Sequence, residues 1–260
     1  MFARIRTSLS VLALAAIAGA CGSDSSTGPS SNQSTTLDQA LTELTNPALS
    51  AANSAFFNVD AAAPAPALLA SRCPYVAASQ SFVCTPFATN GVAINQSFTL
   101  LTASNATQAA FDAATTDAVR ATTTVAGTVT QSGTSLAIDG QQELTLSGLI
   151  SGPHTLNGTS TTKIKGTIFD GVQSFPLDAT VTNTITNLVL PAKTPGTAQL
   201  WPSSGTIVVE NTGTVGGFSS GTTRITMTFS GSSTVSVTVL GPGVLQSCKM
   251  DFSKSNPVCG

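Results

Sequence analysis

Four cysteines in the body of the chain carry the clearest chemical signal, which is disulfide formation. Cys73 and Cys84 stand 11 positions apart, and so do Cys248 and Cys259. Zinc sites usually take cysteines in pairs about two to four residues apart, and such pairs are absent from the sequence. Four cysteines allow three pairings. We predict the two local ones, because residues 248–259 have the pattern of a hairpin that a disulfide would close.

Groups that could transfer protons are scarce. The single histidine, His154, follows Gly152-Pro153, a pair that predicts an exposed turn. Residues 217–221 (GFSSG) match the nucleophile motif of α/β-hydrolases, which needs a helix after the serine and a histidine further along the chain. Here the following residues predict a strand, and no histidine follows. Phosphate-binding, dinucleotide and metalloprotease motifs are also absent. The sequence therefore predicts a protein that is not an enzyme and that binds no cofactor or metal.

Residues 1–20 predict an export signal. Arg4 and Arg6 precede an apolar run at residues 9–20, and small residues end it. This run is shorter than the roughly 20 apolar residues that a membrane-spanning helix needs. A basic start, a short apolar segment and a small-residue end are typical of a secretory signal peptide.

The end of that segment, Ala18-Gly19-Ala20-Cys21, resembles the lipobox of bacterial lipoproteins. The resemblance implies cleavage after Ala20 and a diacylglyceryl group on the thiol of Cys21. It also implies the outer membrane, because residue 22 is Gly rather than the Asp that retains such proteins in the inner membrane. An ordinary signal peptidase could cut at the same place. Lipidation of Cys21 would leave four cysteines, which can pair completely.

The remaining chain predicts one domain behind a tether. Residues 21–35 hold the predicted lipidated cysteine and a polar stretch that cannot bury enough apolar surface to fold. Residues 36–58 have leucines at helical spacing and an Asn46-Pro47 restart, which predict a short helical pair. Residues 71–260 complete the predicted domain of residues 36–260, and they are mostly β.

Alternation of apolar and polar residues predicts the strands. It runs through residues 175–186, 225–229 and 235–239, with a turn at 231–233. Asp139-Gly140 and Asp170-Gly171 are predicted hairpin turns, and residues 108–119 a short helix. We predict about nine to twelve antiparallel strands in a meander that forms a sandwich or an open, curved barrel.

The charge balance argues against nucleic acid as a partner. Charged residues make up 8% of the chain, against about 25% in typical soluble proteins. Without Arg4 and Arg6, eight basic side chains remain against twelve acidic ones, and they form no cluster.

These observations favour a lipid-anchored cell-envelope protein with a non-catalytic structural or interaction role. The alternative is a carrier of a lipid or other hydrophobic ligand, since some outer-membrane lipoproteins use a curved antiparallel sheet for that purpose. The third hypothesis is that the protein is an enzyme. The expected partners are therefore the membrane, through an N-terminal lipid, and a hydrophobic ligand or envelope protein.

Overall fold

The computed structural model of the protein describes residues 73–89, 91–169, 171–190 and 201–251. These residues form thirteen strands and no helix, which confirms the mostly β, antiparallel fold. The predicted signal peptide, Cys21, the tether, the helical pair at 36–58 and Cys259 lie outside the described residues. None of the described segments is an apolar helix of membrane-spanning length.

The longest strands lie in the middle of the chain, and short ones precede them. Their bounds are β1 (Tyr75–Val76), β2 (Ser81–Val83), β3 (Phe87–Thr89), β4 (Val92–Thr102), β5 (Thr107–Gln108), β6 (Thr116–Gln131), β7 (Thr134–Ser147), β8 (Thr155–Phe169), β9 (Ser174–Val189), β10 (Ser204–Val215), β11 (Phe218–Phe229), β12 (Thr234–Gly241) and β13 (Val244–Asp251).

All thirteen strands belong to one antiparallel sheet. Its order is β1-β2-β4-β6-β7-β8-β9-β10-β11-β12-β13, with β3 and β5 also paired to β4. From β6 onward each strand pairs with the next in the chain, so the predicted meander is confirmed. No pairing among the described residues joins β1 to β13, and the sheet is not closed.

The two faces of the sheet differ sharply. On one face the apolar residues are excluded from solvent, and Ile94, Leu136, Ile207 and Val235 are 0% exposed. We call this side the buried face and the opposite side the outer face. The outer face carries many threonines and two cross-strand ion pairs, Lys165–Asp178 and Arg224–Glu210 (N–O 3.2 and 3.6 Å). This division is the one that period-two alternation predicts.

Glycines let the strands bend. Open sheets of more than about ten strands curl, and glycine kinks provide the curvature. Gly158 and Gly166 on β8 have φ of +156° and +157°. A methyl built on Gly166 would overlap the carbonyl oxygen of Ser135, and one on Gly158 would overlap that of Glu143. Both positions lie on the buried face, where β7 and β8 approach closely.

Two predicted local structures are wrong. Asp139 and Gly140 lie inside β7, and the chain turns instead at Ser132 and Gly133, whose φ angles are +49° and +83°. Residues 108–119 do not form a helix. Asp112 accepts hydrogen bonds there from the N–H of Ala114 (2.9 Å) and the hydroxyl of Thr115 (3.0 Å), and these bonds hold a turn that leads into β6.

The predicted disulfide between Cys73 and Cys84 is present. It lies beside a small aromatic cluster, in which Phe82 stacks on Phe98 (ring centroids 4.9 Å apart) and meets the edge of Tyr75 (5.3 Å). Cys248 is also disulfide-bonded. Because Cys259 lies outside the described residues, the pair Cys248–Cys259 stays a prediction.

Removing the first disulfide should destabilise this edge of the sheet. We expect Cys73→Ala/Cys84→Ala to lower the free energy of unfolding by about 2–3 kcal/mol, because the bridge restricts the unfolded chain. Urea denaturation of the oxidised protein and of the variant measures the difference. Adding reductant to the variant is the control, and it reports any further loss through the disulfide of Cys248. Equal denaturation midpoints for the two oxidised proteins would contradict the prediction.

Candidate functional site

A row of polar side chains crosses the otherwise apolar buried face. Each member lies directly opposite the next on the neighbouring strand, from β4 to β9. The row spans about 19 Å, at roughly 4.8 Å per strand. We call it the polar row, and its members are Gln96, Thr123, Gln142, Ser160 and Asn183.

The members of the polar row are withdrawn from solvent. Thr123 and Asn183 are 5% and 8% exposed, and the other three are half-buried. Burying a polar side chain costs free energy unless a hydrogen bond replaces its contact with water. The hydrogen bonding of the row therefore has to be followed member by member.

The surroundings of the row are mainly apolar. The next row on one side contains Ile94, Val125, Gly140, Thr162 and Val181, and the next row on the other side contains Phe98, Ala121, Leu144, Gly158 and Ile185. Beyond Asn183 the same line continues with Val209, Ile225 and Val239. The polar row thus ends at β9 against apolar strands, and the two glycines next to it, Gly140 and Gly158, lie where a neighbouring strand approaches closely.

Asn183 is the member whose hydrogen bonding is incomplete. Its Nδ2 donates to Oγ of Ser160 at 2.9 Å. Its Oδ1 is buried and has no hydrogen-bond partner in the part of the chain that the structure describes. Exchanging the amide oxygen and nitrogen would leave the nitrogen without a partner instead, because the Ser160 hydroxyl can also donate. A buried polar group in this condition costs about 1–3 kcal/mol, and a hydrogen-bond donor placed beside it would recover that cost.

Gln108 carries the other buried oxygen without a partner among the described residues, its Oε1. It belongs to the short strand β5, and its Nε2 donates to Oγ1 of Thr115 at 2.7 Å. No line of polar side chains accompanies it, so Asn183 defines the better candidate site.

On the face that carries the polar row, the described strands place no charged side chain. The charged side chains in the interior of the long strands occupy the alternate positions that point to the outer face; they are Arg120, Asp139, Glu143, Lys163, Lys165, Asp178, Glu210, Arg224 and Lys249. A ligand with a bare charge would find no counter-charge beside the row. The chemistry of the site is therefore neutral hydrogen bonding flanked by apolar contact.

The residues that sequence reasoning singled out for catalysis do not meet. His154 lies in the connection between β7 and β8, and its carbonyl accepts from Leu190 N–H (2.8 Å). Ser219 lies at the start of β11, at the opposite end of the sheet, and a strand rather than a helix follows it. Within the described ranges, no group of three or more His, Cys, Asp or Glu side chains could hold a metal ion.

No protein-family model, curated protein or solved structure matches this chain.

Sequence reasoning missed the whole polar row. Its one visible trace was Asn183, which breaks the apolar phase of an alternating strand that is otherwise Phe175, Leu177, Ala179, Val181 and Ile185. The other four members sit in strands with weaker alternation. Their alignment depends on the register between strands, which no single segment of sequence displays.

Proposed function

We propose that this protein binds an uncharged amphipathic ligand along the polar row, and that it does so as an exported protein anchored to the outer membrane through lipid on Cys21. The observation that carries the proposal is the buried amide of Asn183, which lacks one partner at the end of a line of neutral polar side chains. This observation favours the hypothesis that the protein carries a lipid or other hydrophobic ligand over a purely structural role in the envelope.

The side chains of the polar row and of the rows beside it indicate which chemical groups the ligand should have. Oδ1 of Asn183 needs a donor, such as a hydroxyl or an amide N–H. The flanking apolar rows need hydrocarbon, and the neutral side chains of the described strands on this face favour an uncharged headgroup over a charged one. A ligand with a neutral polar segment between apolar parts, such as a hydroxylated or amide-bearing lipid, satisfies all three conditions.

Export and anchoring rest on separate support. The lipobox-like residues 18–21 support a lipid anchor on Cys21. The disulfide between Cys73 and Cys84 supports export, because disulfides persist in oxidising compartments. A soluble version for binding work is the chain with Cys21→Ser, secreted to a bacterial periplasm through its own signal.

Native mass spectrometry of that secreted protein is the first test. We expect a reproducible added mass that extracts into organic solvent, because the ligand would be acquired during export. A matched variant, Gly140→Val, should reduce the added mass because it adds bulk to the buried face next to Gln142, against the side chain of Thr162. Val76→Ala on the short strand β1 changes an exposed residue away from the row and is the control. A bare protein mass from several hosts would contradict the proposal.

A second prediction separates a ligand site from a merely structural row. We expect Ser160→Ala/Asn183→Val to leave stability unchanged or to raise it by about 1 kcal/mol, because an unsatisfied buried group is removed together with its partner. The same variant should lose the added mass. If the row serves only to hold the sheet together, the variant should instead lose about 1–3 kcal/mol. Urea denaturation combined with native mass spectrometry distinguishes the two results.

A further inference from the structure

The hairpin turns at one end of the sheet carry most of its exposed apolar side chains. In an antiparallel meander every second turn lies at the same end. The turns β6–β7, β8–β9, β10–β11 and β12–β13 therefore share one end with the β3–β4 turn, as the hydrogen bond from Thr128 N–H to Gly91 carbonyl (3.1 Å) confirms. We call this the apolar end; its exposed apolar side chains are Phe87, Phe169, Val172, Phe218, Leu240, Val244 and Leu245.

The exposure of these side chains is far above that of the sheet as a whole. Val172 is 88% exposed, Phe218 82% and Leu245 75%. Val172 stands on the β8–β9 hairpin, Phe218 on β10–β11 and Leu245 on β12–β13, so exposed apolar side chains recur on three successive hairpins at this end of the sheet. By contrast, the opposite end carries Phe111 and Ile150, which are 40% and 42% exposed.

Charge is nearly absent from the same turns. Residues 87–92, 130–135, 215–220 and 240–246 contain no Asp, Glu, Lys or Arg, and residues 168–175 contain only Asp170. Gly, Ser, Thr and Gln fill the positions between the apolar side chains. An end with protruding apolar groups and no basic residues matches a neutral lipid surface, since attraction to anionic lipid needs Lys or Arg.

We propose that the apolar end docks onto a bilayer of zwitterionic lipid, with Val172, Phe218 and Leu245 entering the headgroup region. The occupant is a membrane rather than a second protein for a geometric reason. The three most exposed side chains, Val172, Phe218 and Leu245, project from three separate turns, and a fluid bilayer can surround separate points that a rigid partner would have to match one by one. The proposal does not depend on the polar row or on its ligand.

Phosphatidylcholine vesicles provide the test, with the full secreted chain carrying Cys21→Ser so that no lipid anchor contributes. We expect the protein to sediment with the vesicles, and Phe218→Ser/Leu245→Ser to lower the partition coefficient about a hundredfold, from roughly tenfold per side chain. The matched control, Phe111→Ser/Ile150→Ser, removes two apolar groups from the opposite end and should leave partitioning unchanged.

A reporter at the tip locates the contact directly. The fluorescence of Phe218→Trp should shift to the blue on addition of vesicles, and lipids brominated in the acyl chain should quench it, whereas the parent protein with Trp201 alone gives the background. Circular dichroism checks that each variant stays folded. Three results would overturn the proposal: no sedimentation, equal loss with the control variant, or a dimer in the ultracentrifuge that the tip variant dissociates without any vesicle binding.

Discussion

Replacing Gly166 with alanine should lower the free energy of unfolding by about 3 kcal/mol. The residue has a φ of +157° and faces Leu136 across the β7–β8 pairing, so a methyl group there would overlap the carbonyl oxygen of Ser135. Left-handed backbone costs a side-chain-bearing residue about 1–2 kcal/mol, and overpacking adds about 1–3 kcal/mol. Equilibrium denaturation in urea measures the total.

Gly152→Ala is the matched control for that experiment. Gly152 also has a positive φ, +114°, but nothing lies within 4 Å of the position that its Cβ would take. The free energy of unfolding of the control should therefore fall only by the cost of the unfavourable backbone conformation, about 1–2 kcal/mol. Equal losses at the two positions would mean that β7 and β8 can move apart without cost, and that Gly166 does not fix their close approach.

Changing Asn183 to aspartate should destabilise the protein by about 3 kcal/mol at neutral pH. The two side chains have the same shape, but the new carboxylate would lie on a face without a cation, between Ser160 and Val209. Desolvation would raise its pKa above the ordinary value of an aspartate. Because the folded-state pKa exceeds the unfolded one, the loss is absent below about pH 4, where both states hold the proton, and it grows as the pH rises.

Denaturation of Asn183→Asp and its parent between pH 4 and pH 7 gives this dependence. Asn95→Asp makes the same chemical change on the outer face of β4, where residue 95 is exposed, and it should show little loss at any pH. A loss at residue 183 that does not change with pH would show that ionisation of the new carboxylate costs nothing there, and it would remove the physical basis of the polar row as a ligand site.

The sequence predicted those parts of the fold that local patterns determine. Alternation at residues 225–229 and 235–239, with a turn between them, corresponds to β11 and β12. Gly171 falls in the connection between β8 and β9, so a hairpin forms where one was expected, although the strands pair up to Phe169 and Ser174 and the connection is longer than the predicted two residues. In each case the period-two pattern and the turn chemistry favour the same structure, so no distant contact has to decide.

The wrong predictions fall where the local sequence is compatible with two different backbone structures. Ser132-Gly133 and Asp139-Gly140 both suit a two-residue turn, and the pairing of β7 with β6 and β8 selected the first. That choice places Gly140 on the buried face next to the polar row. The helix predicted at residues 108–119 failed for the same reason, because pairing with β4 draws Val119 into a strand.

The candidate site depended even more on distant contacts. Gln96 and Asn183 are far apart in the chain, and they share one line only through four successive strand registers. A shift of one residue in any of those registers would move the later members to the outer face. Periodicity within one strand could identify Asn183 as an exception, but it could not reveal that four other polar groups lie in line with it.

The meander has a consequence for the order in which the chain can fold. From β6 to β13 each strand pairs with its neighbour in sequence, so every pairing except β9–β10 closes a short loop at a small entropic cost. Local pairings of this kind favour rapid assembly compared with sheets that join distant segments. A chain that emerges with its N-terminus first can add strands to a growing edge in sequence, and no strand has to wait for a partner that is still to come.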